Sequence, residues 1–446
     1  MYSQTDQTMK MEPAAVFAPG MFGSAAYRIP SLLKTRKGTL IAGIDARWAG
    51  TQDNPNHISL AIRRSLDQGV TWQDMQLVVE YPGEGADGAA AIDSALLEDR
   101  VTGTIWMLYS HTPGGIGLWS SQQSLGFNEE GLRLLYDDSG QTYILNASGE
   151  VTDLQGGKTA YAVKENGDVM HHGQYSGNIY LKDDKVPRSL LEARTSFLQM
   201  IKSEDDGLTW SRPMELNPQV KQSWMKFIGA GPGKGIQMTA EAYPGRLVFS
   251  VYFTNEQTTM SNAVIYSDDH GTSWQMGASP NDGRVWEGQT LSAETMDAFS
   301  AQLTESQVIE MDNGDLKIYM RNHSGTKRTA AAISKDGGQS WGEVTFEPEL
   351  IDPICQGTVV RYPKLGDGKE RLIWANPADV ENRINGTVRL SVDGGKTWSY
   401  SRTIEAGPFC YSCLTVLPGG EVGLLYEGED FVIYFTKFSL DWIKGE

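Results

Sequence analysis

Cysteine is scarce. Only Cys355, Cys410 and Cys413 occur in 446 residues, too few to staple a chain of this size, so the fold must hold by packing. Cys410-Tyr-Ser-Cys413 has CxxC spacing, but no second pair or histidine cluster accompanies it, so the cysteines read as ordinary strand residues and no metal is expected. No apolar run reaches the ~18 residues that cross a bilayer, which predicts no membrane span. Met1 to Gly20 holds one lysine and no apolar stretch, so no secretory signal is read in the chain as given. Cations are outnumbered, 38 Lys and Arg against 56 Asp and Glu, for a formal net charge of −18. Phosphate backbones need clustered Lys and Arg, so nucleic acid is not an expected partner. Helical periodicity is also missing; Ser189-Leu-Leu-Glu-Ala-Arg194 is too short to count.

What is present is a globular composition, 40% hydrophobic, 10% aromatic and 21% charged, with 49 glycines. Within it lies a repeat. Ser65-Leu-Asp67-Gln-Gly69-Val-Thr71-Trp72 returns at Ser203–Trp210, Ser267–Trp274, Ser334–Trp341 and Ser391–Trp398, a pattern S-x-D-x-G-x-[ST]-W. Asp and Gly supply the side-chain hydrogen bonds and the positive φ of a tight turn, and the Trp packs beneath it, so each copy should join two strands. Flanking runs such as Ile58-Ser-Leu-Ala-Ile62 and Asn262-Ala-Val-Ile-Tyr266 are β-rich. The last three intervals are alike and the first is about twice as long, which predicts one hairpin per blade with one blade lacking the motif. The expected architecture is all-β, a six-bladed β-propeller over 20–446. A turn-rich segment, 136–190, should be a strand-bearing insertion within it.

These repeats resemble the Asp boxes of the sialidase superfamily, and other segments extend the likeness. Tyr27-Arg28-Ile29-Pro30 matches the [FY]-R-I-P signature ahead of the first strand. Asp45-Ala-Arg47 and then Asp53 follow in the order in which bacterial sialidases carry a second pocket arginine and an acid/base aspartate. Glu305-Ser-Gln-Val-Ile-Glu310 leading to Tyr319-Met-Arg321 resembles the family's glutamate and arginine strands. Arg383-Ile-Asn-Gly-Thr387 sits where its third arginine is found, Tyr411-Ser-Cys-Leu-Thr415 resembles its tyrosine strand, and Gly423-Leu-Leu-Tyr-Glu427 its closing strand. The match runs from Tyr27 to about Trp442. With the insertion and Trp224-Met-Lys-Phe-Ile-Gly-Ala-Gly-Pro232, it looks like the larger secreted bacterial enzymes of glycoside hydrolase family 33.

The resemblance implies a retaining exo-α-sialidase acting on sialylated glycans as a monomer, secreted or at the cell surface, without cofactor. Sialic acid carries a carboxylate on its anomeric carbon. Arg28, Arg321 and Arg383 would hold it through planar charged hydrogen bonds worth about 1.5–3 kcal/mol each. An anionic nucleophile would be repelled there, and sialidases are the exception that uses Tyr. Tyr411 is then the nucleophile, Glu305 the base that takes its proton, and Asp53 the general acid and later general base. Arg47 resembles the additional pocket arginine but equally fits as the partner of Asp45. Tyr252 is placed to line the sugar pocket or to sit in a strand core, and Asp93 to meet the sugar's N-acyl side. One alternative is an intramolecular trans-sialidase releasing an anhydro sugar; Gly428-Glu-Asp-Phe-Val-Ile-Tyr-Phe435 contains no Trp to exclude water, which favours hydrolysis. A non-catalytic glycan-binding propeller would have no reason to keep all six polar residues. Acidic loops lack EF-hand spacing, and the sequons at Asn146, Asn322 and Asn385 read as accidental.

The charge balance carries its own test. A surface at −18 should repel polysialylated substrates at long range. Raising salt from very low levels should therefore increase kcat/KM on polysialic acid more than on a small sialoside, and equal responses would refute the repulsion.

Overall fold

Short runs rich in Val, Ile, Leu and aromatics become strands throughout the computed structural model, which describes residues 10–182 and 189–446. The repeating unit is an antiparallel meander. In the first, Ala26–Lys34, Leu40–Arg47, Ile58–Ser65 and Gln76–Val79 pair in chain order. The next uses Ala90–Glu98, Ile105–Thr112, Phe197–Ser203 and Met214–Glu215, and a single parallel bridge, Ile58↔Ala90, ties it to the first. Meanders starting at Phe227–Ala230, Leu303–Glu310, Thr358–Tyr362 and Ser412–Val416 follow. The last is completed by Ala14–Phe17 pairing with Ile433–Phe438. Residues 14–17, outside the expected 20–446 unit, thus supply an outer strand that joins the two ends of the described chain.

The leading strands face one another about a common centre. Ala26–Lys34 touches both Ala90–Glu98 and Ser412–Val416, and Leu303–Glu310 touches Leu247–Thr254 and Thr358–Tyr362. Leu40–Arg47 and Leu247–Thr254 are buried along their whole length, because each sheet is covered on both faces by its neighbours; such strands read as continuous rather than alternating apolar runs. The arrangement is all-β and propeller-like. Its helices are short, among them Asn217–Val220 and Leu440–Lys444. No helix among the described residues is long and apolar enough to cross a membrane.

Between Ile105–Thr112 and Phe197–Ser203 the chain leaves this frame. Strands from Arg133–Tyr136 to Gln174–Asn178, closed by Leu191–Glu192, make a separate seven-stranded sheet with its own core around Leu135, Val151 and Val169. The sheet begins a few residues before and ends just after the expected 136–190; 183–188 of that range lie outside the described residues.

Every Asp box follows the third strand of its meander and has one geometry. In the first, Ser65 Oγ donates to Asp67 Oδ1 (2.8 Å) and accepts from Gly69 N (2.8 Å), while Asp67 accepts from Thr71 N (2.9 Å) and Thr71 Oγ1 (2.6 Å). The glycine has a second duty. A Cβ on Gly69 would lie 2.0 Å from Phe435, on Gly207 2.7 Å from Ile41, on Gly271 2.4 Å from Trp106, on Gly338 2.7 Å from Val264 and on Gly395 2.5 Å from Tyr319. Four of those partners belong to the preceding meander and Phe435, for the first box, to the last one, so the box is a turn and also a latch onto the neighbouring sheet.

Gly271→Ala should therefore lose about 1–3 kcal/mol more unfolding free energy than Gly103→Ala, because both have positive φ (+87 and +79) but only Gly271 abuts a neighbour. Equal losses in chemical denaturation would remove the latch from the argument.

Candidate active site

The leading strands do not reach the centre as regular ladders. Register shifts fall between Arg28 and Ser31, Ile92 and Ala95, and Leu303 and Ser306. Such bulges turn side chains off the normal alternation. Ile29 (φ 62) and Asp93 (φ 65) sit in two of them. A β-branched residue at positive φ costs on the order of 1–3 kcal/mol. It is held here by Ile29 N donating to Glu427 Oε1 (2.7 Å) and by packing of Ile29 on Cys355 and Tyr411.

The same ends of these strands line a cavity of about 240 Å³, whose wall includes Arg28, Asp53, Asp93, Tyr252, Glu305, Arg321, Arg383 and Tyr411. Residues far apart in sequence thus meet at one mouth. Tyr411, just before Ser412–Val416, donates its hydroxyl to Glu305 Oε1 at 2.5 Å. Arg321 Nη1 donates to Glu305 Oε2 (2.7 Å) and to the Tyr411 oxygen (3.0 Å). Arg28 and Arg383 flank the ring, each guanidinium carbon 5.6 Å from its centroid. Arg28 also pairs with Glu427 at 3.3 Å and approaches Asp53 at 3.6 Å. Buried Nε atoms of Arg28 and Arg321 have no partner among the described residues, so donor capacity at the cavity is unspent.

Arg47 is not on the wall. It is wholly buried behind it, donating to Asp45 Oδ2 (3.1 Å), Asp53 Oδ1 (2.7 Å) and Thr51 O (2.6 Å). Of its two sequence readings, partner of Asp45 describes it, with the addition that it anchors Asp53, and it is not placed as a substrate contact. Tyr252 is buried yet lines the cavity, its hydroxyl donating to Asp93 Oδ2 at 3.0 Å.

Burial sorts the acids. It drives Asp93 well above its ordinary value, with Asp45, Glu305 and Asp53 adding to the rise, which favours the neutral acid beside the arginines. Asp45 is pushed up to about 7, chiefly by burial. At Asp53, desolvation opposes ionisation, but Arg47 and Arg28 outweigh it and hold the carboxyl below its usual value, with the side chain 64% exposed at the rim. Burial and then Glu305 raise the Tyr411 phenol far above 10, so it keeps its proton until a base removes it. The site is a cationic floor carrying an ionised rim acid and a protonated phenol beside a carboxylate.

Sequence reasoning passed over several residues here. Glu427, quoted only as part of a closing strand, orients Arg28. His323, met as the middle of a sequon, lines the cavity with a pKa lowered to about 4 by burial and then by Arg321. Trp119 stands 69% exposed at the mouth. Cys410, read as an ordinary strand cysteine, accepts from Arg383 Nη1 at 3.2 Å and lies 3.9 Å from Cys355 Sγ. A lone Glu, His or Trp carries no spacing signal. Among the described residues no cluster of three or more His, Cys, Asp or Glu could hold a metal ion.

This fold has counterparts. The model of the BNR repeat-like domain matches residues 184–424, more than half of the chain, and the protein belongs to that family. The chain is 29% identical over 500 residues to the anhydrosialidase of the leech Macrobdella decora, covering 96% of this chain and 63% of the relative. A sialidase of Bacteroides fragilis is 29% identical over 431 residues, covering 94% and 63%. The chain thus spans under two thirds of the length of these curated relatives. The crystal structure of an intramolecular trans-sialidase from Ruminococcus gnavus superposes with a TM-score of 0.83 at 26% identity, covering 99% of each chain.

Hydrogen bonding to Cys355 lowers the Cys410 pKa against the effect of burial, and Arg383 and Arg28 add to the lowering. Cys355 and Cys413 are buried. Iodoacetamide should therefore label Cys410 first, read by peptide mass spectrometry; earlier labelling of Cys355 would contradict the site's geometry.

Proposed function

We propose that the protein is a retaining exo-α-sialidase built on a six-bladed β-propeller, releasing terminal sialic acid from glycans through a covalent tyrosyl intermediate. The chain order of the four-stranded meanders and the Asp-box latches support the blade count. The observation that carries the activity is the 2.5 Å hydrogen bond from Tyr411 to Glu305, with Arg321 donating to both. A phenol bonded to a carboxylate in a cationic cavity is an activated nucleophile suited to an anionic sugar. The Bacteroides fragilis relative is named a sialidase, which supports this reading, whereas the names of the Macrobdella decora relative and the Ruminococcus gnavus structure support the second reading below.

In this mechanism Arg28, Arg321 and Arg383 take the sugar carboxylate. Tyr411 Oη bonds to the anomeric carbon as its proton passes to Glu305, and the glycosidic C–O bond breaks with a proton from Asp53 to the leaving oxygen. Water then attacks the anomeric carbon, Asp53 takes its proton, and Tyr411 departs with the proton held by Glu305. The low pKa of Asp53 in the free protein bears on the first step. A bound carboxylate neutralises Arg28 and Arg321, two of the three arginines that hold Asp53 ionised, so substrate itself raises the Asp53 pKa toward a protonated acid. All these groups come from one chain, which supports a monomer, and a sialylated substrate supports a secreted or cell-surface location.

A second reading rests on Trp119, whose exposed ring at the cavity mouth offers the water-excluding Trp that 428–435 lacks. There the sugar's own hydroxyl attacks the intermediate and an anhydro product leaves. Mass analysis of the product separates the two: free sialic acid for hydrolysis, a species lighter by one water for internal transfer.

Tyr411→Phe should abolish turnover of an aryl sialoside with the fold intact, and wild-type rates would overturn the nucleophile. Asp53→Asn should slow a natural sialoside by about 10²–10⁴-fold and a sialoside with an activated phenol leaving group far less. Equal losses on the two would remove Asp53 as the acid.

A further inference from the structure

The leading strands have two ends, and the far one is also open. Ala26–Lys34 starts near Arg28 in the Tyr411 cavity and finishes at Lys34, about 20 Å along at strand rise. Ala90–Glu98, Leu303–Glu310 and Ser412–Val416 run the same way. At that end lies a larger cavity of about 570 Å³, lined by these strand ends, by Gly233–Lys234 and by Thr358–Tyr362. Its size is that of a small-molecule site.

Its charge is opposite to that of the protein. On a chain at −18 the wall carries Lys34, Arg36, Arg100, Lys234, Arg361 and Lys364 against Glu98 and Glu310. Both acids accept from backbone N–H groups, and Lys34 also favours the ionised form of Glu98 through space. Glu310 accepts from Thr239 N (2.8 Å) and Ala240 N (2.7 Å), and Glu98 from Arg36 N (2.8 Å). Asp312 holds Lys364 at 3.0 Å and also pairs with Arg361, while Arg36 is spent on the Arg100 carbonyl. Three cations remain. The side chains of Lys34, Arg100 and Lys234 have no hydrogen-bond or ion-pair partner among the described residues, and Lys234 is fixed near the axis because its two-residue strand pairs in parallel with Ala95 and Leu96. Burial lowers the Lys234 pKa, with Arg100 and Lys34 lowering it further. Like charges gathered on a half-buried wall are unfavourable unless an anion joins them. Between them the wall is apolar, with Leu33, Leu97, Val308 and Val360.

We propose that this cavity is a second binding site, for a small organic anion whose carboxylate or phosphate sits among Lys34, Arg100 and Lys234 and whose apolar body lies on the leucine and valine wall. It is separate from the Tyr411 cavity and independent of the sialidase reading. Titration calorimetry at low salt tests it, with inorganic phosphate and hexanoate as probes, on Arg321→Ala protein so that carboxylate binding at the Tyr411 cavity is weakened. A binding event should persist in that background and fall at least tenfold in affinity when Lys234→Met is added. Lys34→Gln should weaken it too and serves if Lys234→Met misfolds by circular dichroism. In otherwise wild-type protein, neither substitution should change turnover of a small sialoside. Tighter hexanoate assigns a carboxylate with an apolar tail, and tighter phosphate assigns a phosphate ester. No binding of either probe at millimolar concentration, or binding indifferent to both substitutions, would overturn the proposal.

Discussion

The structure depends on a missing carbon atom. In each Asp box a glycine lies so close to the neighbouring sheet that a Cβ would overlap Phe435, Ile41, Trp106, Val264 or Tyr319. Because the Ser and Asp of the box hold the turn rigid, this contact sets where one sheet stands against the next. Sheets fixed in this way bring their leading strands together with both ends open. Two cavities follow from that geometry.

At one end, bulges turn the convergence into chemistry. A regular ladder would alternate side chains between faces, whereas register shifts at Arg28, Asp93 and Glu305 redirect them to a common mouth. The strain at Ile29 is offset by Glu427, which also holds Arg28, so backbone distortion and guanidinium placement are one device. Burial and the arginines then divide the carboxylates: Asp93 is pushed toward its neutral form, Asp53 is held ionised by Arg47, Arg28 and Arg321, and Glu305 is bonded to a phenol. The local sign of charge is thereby opposite to that of the chain as a whole, and the axial cavity at the other end repeats that inversion with lysines. Net charge governs the approach of a polyanion, but not the capture of a small anion.

Much of this was legible beforehand, for definite reasons. Asp boxes are visible because a tight turn needs a local sequence of Ser, Asp and Gly in fixed order. Arg28, Glu305, Arg321, Arg383, Asp53 and Tyr411 were picked out because they sit in short segments resembling a family's signatures, and the structure gathers all six into one cavity. Arg47 was half read: its pairing with Asp45 is local, but its withdrawal from the wall depends on how the 48–57 loop folds back. The strand Ala14–Phe17 escaped notice because an edge strand needs only a partner, here one from the other end of the chain.

By itself, the sequence determined the turns, the strands and the stock of reactive groups, since each depends on residues near one another along the chain. It also determined that no disulfide framework holds the protein together. Only the tertiary structure decided which groups meet and in what protonation state. Cys410 became a neighbour of Arg383, Glu427 an anchor for Arg28, Asp93 an acid pushed toward its neutral form, and Lys34, Arg100 and Lys234 a cluster without an ion pair. Desolvation and Coulomb interaction act through space, and the distances they depend on are set by packing between sheets, which sequence spacing does not record.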